Sequence, residues 1–262
     1  PLAPMEEVTD TVFRQIVMSC GKPDVMFTEF TSVEGMNHKK GLPHVQHRLV
    51  FSKNEHPIVA QIWGSNPEFF FKAAQKIKDL GFDGIDINMG CPEKNIVRQG
   101  TCSALIKNPE LAKQIIQATI DGAEGLPVSV KTRIGFSKIQ TEEWIGFLLQ
   151  QNLAAIIIHG RTSAEMSDVP AHWDEIAKAV KLRDQLSPGT IIIGNGDVKT
   201  LEEAEKKVKD FGVDGVMIGR GIFNNVFLFN KNRKSEDISV EDKLKVLLQH
   251  IYLFTQTWIS PN

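Results

Sequence analysis

The stretch IIIGNGDVKTLEEAEKKVKDFGVDGVMIGRG, residues 191–221, contains the pattern that decides the fold. Ile191-Ile192-Ile193 is a short β-branched run of the kind buried in a parallel sheet, and it ends in Gly194-Asn195-Gly196-Asp197. Thr200 and Glu203 have the spacing of a capping box, and Ala204, Val208 and Phe211 recur on one face of the helix they open. Gly215-Val216-Met217-Ile218 is a second apolar strand, closing on Gly219-Arg220-Gly221. Strand, helix and strand follow within about thirty residues, as parallel pairing requires.

The same unit repeats outward along the chain. Apolar, β-branched strands are expected at Asp24-Val25-Met26-Phe27, Ile58-Val59-Ala60, Gly84-Ile85-Asp86-Ile87, Val128-Ser129-Val130 and Ala155-Ile156-Ile157-Ile158. Leu2-Ala3 would be the stump of a first strand, making eight. Asn66-Pro67-Glu68 and Asn108-Pro109-Glu110 each place an Asn cap before a Pro at the first helical position. The first of these helices, residues 68–80, stops at Gly81. Repeats of this length over the whole chain predict a (β/α)₈ barrel of the TIM type. An open doubly wound sheet usually carries a Gly-rich fingerprint after its first strand, and none is present. Residues 1–230 are therefore expected to form the barrel. Residues 231–262 read as a charged linker followed by an amphipathic helix over 242–259, the start of a C-terminal helical segment.

Composition bounds the function. At 262 residues the chain can bury a large core, and its three cysteines, Cys20, Cys91 and Cys102, are too few and wrongly spaced for a disulfide framework or a zinc site. Seven scattered histidines show no metal-ligand pattern, so no metal is expected. No apolar run approaches a membrane span and no charged-then-apolar leader opens the chain, which begins Pro1-Leu2-Ala3-Pro4-Met5 as a trimmed fragment would. A reducing, cytoplasmic setting is expected. The net charge of −2 makes any nucleic-acid contact a local patch rather than a global field.

In such barrels function gathers where strands end. The residues there are Met5, Thr28-Glu29, Gln61, Asn88, Lys131, His159 and Arg161, Asn195-Gly196-Asp197, and Gly219-Arg220. The glycine-rich ends at Asn195-Gly196-Asp197 and Gly219-Arg220 suit a phosphate, with backbone N–H groups and the Arg220 fork as donors. Lys131 ends an apolar strand, where it either snorkels to solvent or places a fixed cation beside a ligand. His159 is read either as a hydrogen-bonded core residue or, with Arg161 beside it, as part of a ligand site. Cys91, in a loop between Gly90 and Pro92, suits a proton donor, whereas Cys20 and Cys102 read as packing.

Leu2-Ala3-Pro4-Met5, Thr28-Glu29-Phe30, Asp86-Ile87-Asn88-Met89-Gly90-Cys91-Pro92, Val130-Lys131-Thr132-Arg133, His159-Gly160-Arg161-Thr162, Asn195-Gly196-Asp197 and Gly219-Arg220 resemble, in order, the motifs of the tRNA-dihydrouridine synthases, residues 88–92 being the most specific part. The resemblance runs from the first residue to about Phe229. It implies an FMN-dependent, NADPH-reduced enzyme acting on a uridine of tRNA, and a monomer. Pro4, Met5 and Glu6 would line the flavin, and Gln61 and Lys131 would bond its polar ring edge. His159, Asn195, Gly196, Asp197, Gly219 and Arg220 would hold the ribityl phosphate side, with Asn88 and Arg161 facing the base. Hydride would pass from the reduced flavin to C6 of the uracil, and Cys91 would protonate C5. The base must be splayed out of its stack to get there. Lys94, Arg98, Lys107, Arg133 and Lys138 are candidate rim cations for the RNA backbone.

Two features depart from the family. Cys102 stands where glycine is usual, and the helix over 242–259 is only the start of the family's C-terminal tRNA-binding domain. A flavin barrel acting on free pyrimidine in the manner of dihydroorotate or dihydropyrimidine dehydrogenases is the nearest rival. A barrel that binds RNA without flavin is another.

Overall fold

Successive residues of each strand point to opposite faces, and this sorts their side chains into two layers. The computed structural model of the chain describes residues 1–233 and 235–259. Its longer elements begin with α1 (Thr11–Cys20), β1 (Met26–Phe27), β2 (Thr31–Ser32), α2 (Val33–Asn37), α3 (Leu42–Val45), β3 (Ile58–Trp63), α4 (Pro67–Asp79) and β4 (Gly84–Met89). Then come α5 (Lys94–Val97), α6 (Pro109–Ala123), β5 (Val128–Arg133), α7 (Thr141–Leu149), β6 (Ala155–His159) and α8 (Trp173–Leu186). The chain continues through β7 (Ile191–Asn195), α9 (Leu201–Phe211), β8 (Gly215–Met217) and α10 (Val240–Phe254).

Every named strand pair is parallel, in the order β1-β3-β4-β5-β6-β7-β8, with β2 also on β3. Residues 1–3 close the ring. Leu2 bridges Ile218 in parallel, the Ala3 N–H donates to the Ile218 carbonyl at 2.8 Å, and the Leu2 N–H reaches the Val25 carbonyl at 3.2 Å. β1 and β2 are two halves of one stave. Phe27 pairs with Val59 but Thr31 with Ile62, so one extra residue is bulged out between them. There the Thr28 hydroxyl accepts the Gln61 N–H at 3.1 Å. With this stave and the opening stump the barrel has its eight strands, although β1 is shorter than the four residues expected.

Outward residues such as Leu2, Ile58, Ile85, Val130, Ile156 and Ile192 belong to the main core together with Ala73, Ile77, Ile115 and Ile176 of the helices. Inward residues Ala3, Phe27, Ile157 and Met217, with Val25, Val59 and Ile193, fill the barrel floor. Two residues further along the same strands the inward register turns polar, at Gln61, His159 and Asn195, with Asp86, Ser129 and Lys131 beside them. An apolar plug thus supports a polar layer at the C-terminal ends of the strands.

The Asn caps form as expected, with Asn66 Oδ1 accepting from the Glu68 N–H at 3.0 Å and Asn108 Oδ1 from Leu111 at 3.2 Å. At α9 Thr200 caps Glu203, but the Glu203 carboxylate bonds the Lys199 N–H instead of closing the box on Thr200. Val208 is exposed, and the helix rests on α8 through Phe211 against the Trp173 ring. α10 starts two residues earlier than expected, because Ser239 and Asp242 form a true capping box. It lies against α1, where Phe13 meets His250, and beyond its end Trp258 donates to Asp10 at 2.8 Å. Within the expected segment 231–262, Lys234 and residues 260–262 lie outside the described residues. No helix among the described residues is long and apolar enough to cross a membrane.

Candidate active site

A cleft of about 630 Å³ opens at the C-terminal ends of the strands. Pro4, Met5, Lys131, His159, Arg161, Asn195, Gly196, Asp197, Gly219 and Arg220, all singled out from sequence, share its wall. Ala3 and Met217 form its apolar base, continuous with the barrel floor. Gly196 sits at φ +131°, and a Cβ there would come within 2.7 Å of the Ala171 Cβ, so only glycine fits.

The charges on this wall are organised. Lys131 Nζ donates to Asn195 Oδ1 at 3.3 Å, and the Asn195 amide donates to the Met217 carbonyl at 2.8 Å. Burial, with Arg133 nearby, pulls the Lys131 ammonium down to about 8, so it stays largely protonated at neutral pH. Arg161 spreads its guanidinium over the Val169 carbonyl at 2.5 Å, His159 Nε2 at 3.0 Å and Asp197 Oδ2 at 2.5 Å. A guanidinium can only donate, so His159 Nε2 accepts and the ring proton lies on Nδ1. Burial and the cations Lys131, Arg133, Arg161 and Arg220 push His159 down to about 2, which keeps the imidazole neutral. Burial works against the Asp197 carboxylate, yet the Arg161 fork and the Ala171 N–H hold it below its usual range.

Cys91 is half-buried on the loop after β4 and is not on the cleft wall. Asn88 Oδ1 accepts the N–H groups of both Gly90 and Cys91 at 3.0 Å, and Asn88 Nδ2 donates to Gln61 Oε1 at 3.1 Å. The register Asn88↔Lys131 sets this loop beside the strand that carries the lysine. Gln61 and Asn88 are buried, the Gln61 amide spent on Asp86 and Asn88 and the Asn88 amide on Gln61 and the loop. Glu6 is drawn away to Arg48, at 2.5 Å, and burial raises its carboxyl despite that pairing.

One reading needs correction. Arg133 is not a rim cation. It is buried, and it donates to the carbonyls of Gly90 at 2.8 Å, Thr162 at 2.9 Å and Met166 at 2.8 Å, clamping the cysteine loop to the loop after β6. Lys94, Arg98, Lys107 and Lys138 are exposed as expected. Cys102 is buried, as packing requires, and a hydrogen-bond contribution from its thiol also bears on Cys91. That bond, opposed by burial and helped by the Glu93 backbone and Arg133, lowers Cys91 to about 7. Burial and the same bond push Cys102 well above the ordinary thiol range.

Residues not singled out also belong here. Ser167, Lys199, Phe223 and Asn224 line the cleft, next to motifs that were read. Asp86 and Ser129 share the inward parity of Asn88 and Lys131, and that period of two is the signal that could have found them. Among the described residues no group of three or more His, Cys, Asp or Glu could hold a metal.

Cys102 has φ +51°, a left-handed conformation that glycine adopts at little cost. Cys102→Gly is therefore expected to keep the loop while removing the thiol donor. The inflection in the pH dependence of Cys91 alkylation by iodoacetamide should move upward from about 7 toward the ordinary thiol range. An inflection that stays in place would show that Cys102 does not tune Cys91.

The family model described as dihydrouridine synthase matches residues 1–258. A probable tRNA-dihydrouridine synthase 2 of Bacillus subtilis (strain 168) is 48% identical over 253 residues, covering 96% of this chain and 77% of that protein. A probable tRNA-dihydrouridine synthase of Staphylococcus aureus (strain Mu50) is 45% identical over 256 residues, 97% of this chain and 77% of that protein. Among solved structures, an old yellow enzyme homologue from Zymomonas mobilis superposes with a TM-score of 0.58 at 15% identity, over 92% of this chain and 90% of its own. Morphinone reductase in complex with tetrahydroNAD gives a TM-score of 0.57 at 13% identity, over 87% and 84%. At these identities the structural likeness establishes the barrel fold alone.

Proposed function

Because the chain belongs to the dihydrouridine synthase family, we propose that it is a tRNA-dihydrouridine synthase that holds FMN, takes electrons from NADPH and uses Cys91 as its proton donor. The observation that supports this most is the pairing of two features at one end of the barrel. A polar cleft is built on Lys131 and Asn195, and a thiol loop is pinned by Asn88 to the strand beside Lys131.

The residues present fit a flavin mononucleotide. The cleft volume lies within the range of cofactor pockets. Its apolar base at Ala3 and Met217 suits a ring system, with Pro4 and Met5 along one side and Lys131 toward the polar edge; Glu6, paired with Arg48, and Gln61, bonded to Asp86 and Asn88, would stand behind that lining. His159, Asn195, Gly196, Asp197, Gly219 and Arg220 would take the phosphate side. There the Arg161 fork offsets the Asp197 charge and leaves exposed Arg220 facing the anion. When bound, the group supplies a hydride for C6 of the uracil.

The chain's own residues do the rest. Lys131 provides a fixed positive charge where negative charge develops. Cys91 carries the proton for C5, and Arg133 and Asn88 fix the loop that presents it. Arg161, on the cleft wall, would face the base, and Asn88 would act on it from beneath the cysteine loop that it folds. Lys94, Arg98, Lys107 and Lys138 offer a local cationic rim for RNA on a chain of net charge −2. We read residues 1–230 as the FMN-binding barrel and 231–262 as a linker and first helix of a tRNA-binding helical domain, in a monomer that works in the cytoplasm.

The test is the visible spectrum of the purified protein, followed through NADPH and then unmodified tRNA under anaerobic conditions. Bands near ~450 nm should bleach with NADPH and return with tRNA. Return only with a free pyrimidine would transfer the protein to the pyrimidine dehydrogenases. No flavin, even after adding FMN, would end the enzyme reading.

A further inference from the structure

Beneath the cysteine loop lies a buried carboxylate that the proposed chemistry does not use. Asp86 points into the barrel from the middle of β4 and is 0% exposed. Ser129 Oγ donates to its Oδ1 at 2.6 Å and Gln61 Nε2 to its Oδ2 at 2.6 Å. From Gln61 the chain of bonds continues through Asn88 to the N–H groups of Gly90 and Cys91.

We propose that Asp86 is a positioning residue for Cys91, acting by fixing which way the Gln61 and Asn88 amides face. The logic is one of donors and acceptors. An ionised carboxylate only accepts, so Gln61 must turn its NH₂ toward Asp86. Its oxygen then faces Asn88, which must answer with its own NH₂. That leaves Asn88 Oδ1 as the acceptor for two adjacent N–H groups, the bonds that fold the loop under Cys91. A flip of either amide would set oxygen against oxygen or N–H against N–H, so one carboxylate determines both orientations. Burial raises the Asp86 carboxyl to about 6, held there by Ser129, Gln61 and the Lys131 charge, so it is ionised at neutral pH.

The inference rests on reading Cys91 as the proton donor only for its functional meaning; the relay itself can be tested by thiol chemistry. Site-resolved alkylation of Cys91 by iodoacetamide is measured in the full chain, with buried Cys20 as the internal control. Asp86→Asn retains an oxygen for Gln61 and can donate to Ser129, so its Cys91 rate should match the parent. Asp86→Leu and Gln61→Met cut the chain at successive links. Each should free the loop and raise the Cys91 rate about tenfold, the worth of one buried hydrogen bond. The Cys20 rate reports whether each variant is folded, and Gln61→Met, which leaves Asp86 its Ser129 bond, serves if Asp86→Leu does not fold. Equal rates in all three variants would overturn the relay. So would an Asn variant that behaves like the Leu variant, because charge rather than amide orientation would then be the agent. Dihydrouridine formation by the same variants separates the two ideas. A relay that governs alkylation but not product formation leaves Asp86 as the anchor of Cys91 and removes Cys91 from the chemistry.

Discussion

Cys91→Ala is expected to retain flavin and its reduction by NADPH, and to slow tRNA-driven reoxidation by about 10²- to 10⁴-fold, the usual contribution of a positioned general acid. The two half-reactions separate because the thiol lies off the cleft wall, on a loop tied to β4, while the cleft is lined by Lys131, His159, Asn195 and Arg220. Removing one sulfur from a half-buried loop position leaves those contacts unchanged. The parent enzyme should carry a matching pH signature. Cys91 titrates near 7, and an acid works only while it holds its proton. The tRNA-dependent rate should therefore fall as pH rises through about 7, while NADPH-driven bleaching shows no such limb. Stopped-flow absorbance under anaerobic conditions reads both. Equal slowing of both half-reactions would place Cys91 in flavin binding instead of proton transfer.

The largest effect on stability is expected far from the chemistry. Arg14 on α1 and Glu55 are both fully buried and meet at 2.5 Å. Arg14 also donates to the carbonyls of Thr9 at 2.6 Å and Val50 at 2.8 Å, and Glu55 accepts from Thr11 at 2.6 Å and the Ser52 N–H at 2.7 Å. Arg14→Met strands a carboxylate in the interior, which costs about 3–5 kcal/mol and should lower the melting temperature by roughly 6–20 °C. Adding Glu55→Gln removes the stranded charge and should recover part of that loss. A thermal melt measures both. A single variant that melts within about 2 °C of the parent would mean water or rearrangement already supports Glu55.

How far the sequence can be read depends on the distance between partners. The Ile runs of β6 and β7 and the Asn-Pro caps of α4 and α6 were legible because each is decided within a few residues. The cleft was legible because barrel geometry gathers strand ends, whatever the loops between them do. Arg133 was misread because its acceptors, at residues 162 and 166, come from another loop and leave no local trace. Cys102 was rightly read as buried, but its place near Cys91 rests on a left-handed turn that few non-glycine residues adopt and that leaves no local signal. Asp86 stands within the motif that ends at Pro92 but was given no role of its own, although its parity with Asn88 already aimed both into the barrel. Val208 shows the opposite error, where a helical face ideal in period had no partner to cover its centre.

The seam where Leu2 meets Ile218 bears on how the molecule is made. The first three residues leave the ribosome long before the strand they must join, and at typical rates of synthesis that interval is roughly 10–40 s. Until then Phe27 and Met217, which share the floor of the finished barrel, cannot meet, and the nascent sheet has two open edges. Stave-by-stave growth from β1 to β7 can bury the outward faces as their helices emerge. The apolar plug and the polar layer above it are assembled only in the last step. The site is therefore expected to appear all at once, and a nascent chain halted before residue 218 should hold helices and strand pairs but no cofactor.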